Sequence, residues 1–217
     1  MPSTPTEPPA EGRVARRQRR TRKALIDAAC RVMSEKGVDA ATMLEIAEAA
    51  DMGAGTVYNY FKSKDDLAVA VLEFLMQDLA MRIESVTNTF SDSALVYACG
   101  VRSVLEVATQ DARWHPLLNR SEVIADAMYR AMGPFAIRDM ERATEAGRFT
   151  ISDASLIWRL TSHALLGAAL LILKGDLPAT AKPEIVMRLL CMTGLPPAEA
   201  QDLALRDLPP VPDRLPA

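Results

Sequence analysis

Between Thr42 and Tyr60 the chain sets two short apolar-periodic stretches on either side of a three-residue break, Asp51-Met52-Gly53. Helices this short do not stand alone in water, because too few hydrogen bonds follow the unfavourable nucleation step, so both must be braced by neighbours. The first opens on Thr42, with Glu45 three residues on, the spacing of a capping box, and Ile46, Ala47 and Ala50 form its inner face. The second runs from Ala54 to Tyr60. The braces are legible on both sides. Leu25, Ala28, Ala29, Val32 and Met33 recur at three- and four-residue spacing, which predicts an amphipathic helix from about Arg16 to Lys36, ended by Gly37 as a left-handed cap. Ser63 is placed to cap a fourth helix with Asp65 and Asp66 in its first turn, where the helix dipole favours acids, and that helix runs to about Val86. Two short helices about a tight turn, held between longer ones, are the helix-turn-helix layout.

The rest of the chain is also helical in pattern. Apolar residues make up 49% and aromatics only 5%, and Ala-, Leu- and Met-rich stretches with few β-branched runs predict an all-α protein. Helices are expected at about 92–110, 112–118, 120–146, 154–174, 184–193 and 197–206, with Gly133-Pro134 as a kink or break. Cys30, Cys99 and Cys191 are odd in number and show no paired spacing, which implies reduced thiols in a cytoplasmic protein. The apolar run Ala164 to Leu173 is shorter than the ~20 residues of a membrane span and reads as a buried helix, so no membrane partner is expected. Residues 1–12 are proline-rich and polar, without the charge-then-apolar order of a secretory signal, and read as a disordered tail. The expected organisation is that tail, a helix-turn-helix domain with a basic arm at 13–63, a helical domain at 64–206 and a proline-rich tail at 207–217.

Charge divides along the same line. Residues 1–64 hold 11 Lys+Arg against 8 Asp+Glu, net +3, and the remainder holds 14 against 20, net −6, which gives the chain its −3. Between Arg13 and Lys23 there are seven basic residues and no acid. A patch of that kind, rather than overall charge, is the electrostatic footprint of phosphate contact.

The run from Thr42 to Leu67 closely resembles the DNA-binding signature of the tetracycline-repressor (TetR) family. The resemblance lies in Thr42, the Ile46-Ala47 pair, Gly55-Thr56-x-Tyr58, Phe61 and Ser63-Lys64-x-x-Leu67, and covers about residues 16 to 75 in detail. It implies a sequence-specific regulator, usually a repressor, bound as a homodimer to a palindromic double-stranded operator. The second short helix would enter the major groove. Thr56, Tyr58 and Lys64 look like phosphate holders, and Thr42 offers an amide and a hydroxyl at a helix start. Asn59 and Tyr60 are candidate base or backbone contacts. Ala54 and Gly55 lack long polar side chains, which suits thymine-methyl contact, close backbone approach or shape readout. Asp51 stands where the family commonly has glycine and calls for positive φ, which Asp tolerates better than most residues. The basic arm could extend into an adjacent minor groove.

For the second domain, the resemblance implies that helices at about 154–174 and 184–193 form a four-helix dimer interface. Leu156, Leu160, Leu166, Leu170 and Ile172 carry more apolar surface than one core face needs. Family members usually enclose an effector among the helices after the DNA-binding domain. Trp114, His115, Met128, Phe135, Trp158 and His163 are the large or polar-tipped side chains available, and with Arg102 they suit a mostly apolar molecule with one anionic group. The alternative is a ligand-independent dimer with a fully packed second domain. Two isolated histidines without spaced partners make no metal site, and no cofactor is expected. Catalytic motifs of the G-x-S-x-G, H-E-x-x-H or phosphate-loop type do not occur, so an enzyme is not indicated.

Overall fold

The structure, a computed structural model, describes residues 12–115 and 121–213. Nine α-helices and one 3₁₀ turn account for the regular structure among the described residues, with no strand there: α1 Arg13–Lys36, α2 Met43–Ala49, α3 Ala54–Tyr60, α4 Lys64–Thr87, α5 Ser93–Gln110, α6 Ser121–Glu145, α7 Ala154–Lys174, α8 Lys182–Cys191 and α9 Pro197–Leu205. Of the short helix expected at 112–118, residues 112–114 form a turn and 116–118 lie outside the described residues, as do residues 1–11 of the tail expected at 1–12.

The first three helices close around one another because their apolar faces have nowhere else to go. Leu25, Ala28, Ala29 and Met33 of α1, Ile46 and Ala47 of α2 and Val57 of α3 are all buried, and Leu67 and Val71 of α4 complete the cluster. Polar ties fix the geometry. Arg31 donates to the Ala49 carbonyl at 3.1 Å, satisfying an acceptor at the end of α2. Lys36 meets Glu45 at 2.6 Å, and Lys64 donates to the Asp39 carbonyl at 2.6 Å. Asp51 has φ of 54°, so the break adopts the backbone that glycine would supply more cheaply.

Ser63 caps α4 by accepting from the Asp66 amide at 3.0 Å. This helix is buried on most sides: it packs on α1 at one end and on α5 and α6 at the other. With α5, α6 and α7 it encloses the core of the second domain, while α8 and α9 pair with each other against α5.

Four expectations change here. First, α1 begins at Arg13, so the seven basic residues are not an arm preceding the helix but its first three turns. Second, Gly37 ends α1 with φ of 83° but an extended ψ of 159°, its amide donating to the Met33 carbonyl. Third, Gly133-Pro134 does not break the chain; α6 is continuous with Pro134 inside it. Gly133 instead makes room for Trp158 of α7, whose indole lies 3.4 Å from where a Cβ would sit. Fourth, α7 is long and apolar enough by composition to cross a membrane, with mean hydropathy 1.7, yet only a third of that window is buried. Its buried residues face the core, and an outward stripe of Leu156, Leu160, His163, Ala164, Gly167 and Leu171 is exposed.

Candidate DNA-binding face and effector cavity

Val57 is fully buried and holds α3 against the core, which turns Gly55, Tyr58 and Asn59 outward; Tyr58 is 56% exposed. Thr56 is half-buried. Ala54 and Tyr60 are also half-buried and pack against the core, so of the eight residues singled out these two are the most structural. Thr42 is exposed at the start of α2, but its donors are already engaged. The Thr42 amide and hydroxyl both donate to Glu45 Oε2 at 3.0 Å, and Thr42 Oγ1 accepts from the Glu45 amide at 3.2 Å. The donors at this helix start that the capping box does not use are the amides of Met43 and Leu44. Lys64 spends one of its three donors on Asp39 and keeps the others.

Around this face lies the basic first half of α1. Arg13, Arg16, Arg17, Arg19 and Arg20 are exposed, whereas Arg22 stacks over Phe61 at 5.1 Å and Lys23 over Phe74 at 5.3 Å. An α-helix about 10–12 Å wide does not fit a minor groove about 6 Å wide, so from Arg13 onward this segment can meet the phosphate backbone but not thread the groove. Leu44, 59% exposed beside Thr42, is an addition the motif did not point to.

A second feature lies where α4, α5, α6 and α7 converge: a narrow, mostly apolar cavity of about 40 Å³. Of the seven residues expected to line an effector site, the structure brings Phe135 and Trp158 to this cavity and places the others elsewhere. Trp114 and Met128 are buried in the core away from it, and His115 is half-buried outside it. His163 lies on the outward stripe of α7, its Nδ1 2.7 Å from the Arg159 carbonyl. Arg102 faces a different cleft. The reason is helical phase: bulk and polarity mark a residue as suited to a pocket, but its position on the turn decides where it points.

The polar members were missed. Glu84 of α4 accepts from Arg138 Nη1 at 2.7 Å, and Asp139 Oδ1 accepts from Arg138 Nη2 at 2.9 Å, so an acid–base–acid chain edges an otherwise apolar space. Burial raises the Asp139 carboxyl above its ordinary value despite that pairing. Tyr97 donates to Thr161 Oγ1 at 3.3 Å, and burial pushes its hydroxyl up to about 12. The Trp158 indole N–H is buried and has no hydrogen-bond partner among the described residues, a standing donor in an apolar setting. The legible signal was charge within an apolar stripe. Ile83, Glu84 and Thr87 on α4, and Met132, Phe135, Ala136 and Asp139 on α6, follow the spacing of one helix face.

Comparison with known proteins bears on both features. Residues 25–71 match the family model for bacterial regulatory proteins of the tetR family, and residues 92–206 match that for a tetracyclin repressor-like C-terminal domain. The chain superposes on the crystal structure of RolR in complex with resorcinol with a TM-score of 0.82 and 31% identity, covering 91% of this chain and all of RolR. Ligand-free RolR gives 0.79 and 32%, over 88% of this chain and all of that one. The HTH-type transcriptional repressor KstR2 of Rhodococcus jostii is 32% identical over 88 residues, which is 41% of this chain and 42% of KstR2.

Proposed function

Because the chain belongs to the tetR family of bacterial regulatory proteins and is a DNA-binding transcription regulator, we propose that it is a homodimeric repressor that leaves a palindromic operator when a small hydroxylated aromatic molecule enters the α4–α7 cavity. The observation that carries the DNA half is the outward row of Gly55, Tyr58 and Asn59 on a helix anchored by buried Val57. Thr56, Tyr58 and Lys64 serve as phosphate holders. Ala54 and Gly55 let the backbone approach the bases, Asn59 is the candidate base reader, and Thr42 positions the start of α2, with Tyr60 mainly packing. The exposed stripe of α7, continued by α8, is the dimer face, so that two-fold protein symmetry meets two-fold operator symmetry.

Three things support the effector class: likeness to a protein crystallised with resorcinol, the unpartnered Trp158 N–H, and the Glu84–Arg138–Asp139 chain at the edge of an apolar space. A ring's hydroxyls would accept from Trp158 or Arg138 and donate to the carboxylates, while Phe135 and Val101 cover its faces. The cavity is smaller than the roughly 150 Å³ that a benzene-sized guest occupies in a protein interior. Binding therefore has to push its walls apart, and one wall is α4. That links the two sites by linkage alone: a ligand that fits only when α4 has shifted must favour the shifted conformer. The same small volume is what a ligand-independent dimer would show, and a binding measurement separates the two.

The test is selection of genome fragments with the purified protein, followed by binding to the recovered site with and without resorcinol. A palindrome should be recovered, the Thr56→Ala, Tyr58→Phe double variant should bind it at least about tenfold more weakly, and resorcinol should release the parent protein but not a Trp158→Phe, Asp139→Asn variant. No preferred sequence would sink the operator reading; a palindrome bound equally with resorcinol present would sink the effector class.

A further inference from the structure

After Leu205 the chain returns along α5 as an extended strap tied at both ends. Arg102 of α5 donates to the Arg206 carbonyl. Arg82 of α4, nearly fully buried, donates through Nη1 to the Pro212 carbonyl at 3.0 Å and holds Nε 2.9 Å from Asp78 Oδ2. Val211 packs against the core. Pro209, Pro210 and Pro212 have no amide hydrogen, so this backbone can lie extended with few donors to satisfy. Between its ties the strap stands off α5 and leaves a half-open cleft of about 780 Å³. That falls within the range of small-molecule sites, roughly 300–1,000 Å³, where the α4–α7 cavity does not.

The cleft has two unlike walls. The strap residues Leu208 to Val211 make one side apolar; Arg102, Ser103 and Gln110 of α5, with the apolar Val107 among them, make the other, and Asp213 lies at the strap's exposed end. The charges are unequally committed. Arg113 is paired with Asp111 at 2.5 Å, Glu106 with Lys182 at 2.8 Å, and Arg82 with Asp78. Arg102 has only a main-chain carbonyl, and no carboxylate lies within ion-pair reach of it among the described residues. A guanidinium presents its donors in a planar fork that matches a carboxylate, and this one lines the same cleft as the apolar strap.

We propose that this cleft is a second small-molecule site, separate from the α4–α7 cavity, which takes a small monocarboxylate with a flat apolar body. The carboxylate sits on Arg102 and the body lies against Val107 and the strap. Such a ligand touches the segment that holds Arg82, and through it the C-terminal third of α4.

Calorimetric titration of the full chain with benzoate, and with neutral benzyl alcohol as its match, tests this. Benzoate should bind one to one with a dissociation constant of about 1 mM or lower, and benzyl alcohol should not bind in that range. Arg102→Gln should weaken benzoate by at least roughly tenfold, with Arg102→Lys in between, since a charge-assisted pair is lost in the first and only its fork in the second. Thermal melts of both variants that match the parent show that the fold is kept. Trp158→Phe, which alters the other cavity, should leave benzoate binding unchanged whatever it does to resorcinol, so this inference and the effector reading fail separately. No binding up to about 10 mM, equal binding by Arg102→Gln or by benzyl alcohol, or loss of benzoate in Trp158→Phe would each overturn the proposal.

Discussion

Arg148 joins three parts of the second domain with one side chain. Its Nε and Nη2 donate to the two Asp92 oxygens at 2.9 and 3.1 Å, and Nη1 meets Glu199 at 2.5 Å. Asp92 at the same time caps α5 by accepting from the Ala94 amide at 3.0 Å. The Arg148 hydrogen bonds hold the Asp92 carboxyl below its ordinary value. Because the folded value is the lower one, the stabilisation is complete above the unfolded value of about 3.9 and is lost as pH falls through the folded one. Arg148→Met should therefore destabilise by about 1 kcal/mol at neutral pH, allowing for solvent screening at a site one-third exposed. Thermal melts should show a loss of roughly 2–4 °C, and the gap between variant and parent should close in acid below about pH 4. A gap that stays constant into acid would mean that packing, not charge, is lost. In the sequence, Gly147-Arg148-Phe149 reads as a turn and nothing more. The partners lie far along the chain in both directions, and no local pattern names them. The capping box of Thr42 and Glu45 is legible for the opposite reason: both partners sit within one turn.

Elements show the same division. In the DNA-binding unit α2 can be read from its capping box and apolar spacing, whereas α1 and α3 carry no side-chain cap at their starts, and the beginning of α1 is not legible from local signals. In the second domain the helices are also legible, but which face of each meets which neighbour is not. Hence Phe135 and Trp158 reach the cavity while His163, on the same helix as Trp158, points away. Gly133-Pro134 does not end the helix, and the glycine answers a tertiary need, the indole packed against it. The outward stripe of α7 is the firmest element-scale basis for prediction. Leu156 and Leu160 are half-exposed, and a row of large apolar side chains on one face of a helix is unfavourable in water unless covered. If the proposed dimer forms through this face, Leu160→Glu should give a monomer by sedimentation and weaken DNA binding, while the helical content is unchanged. A variant that remains dimeric would move the interface elsewhere.

At the scale of the whole molecule, the basic first turns of α1 give a prediction about salt. Each phosphate contact adds about −0.9 to the slope of log affinity against log salt. Replacing Arg16 and Arg20 with Gln in both subunits should make that slope shallower by up to about 3 to 4, and should weaken operator and unrelated DNA alike, since phosphates carry no sequence. An unchanged slope would place α1 away from the backbone. The residues proposed to touch DNA fall within 13–64 and those lining the cavity within 80–158, with none in common. The two candidate sites are joined through α4, whose 24 residues span about 36 Å. Descent can therefore alter one without paying for it in the other. A lineage could exchange its chemical signal by substitutions on α5, α6 and α7 while still reading the same operator, or move to a new operator and keep its signal, which is how a single scaffold can diversify into many regulators.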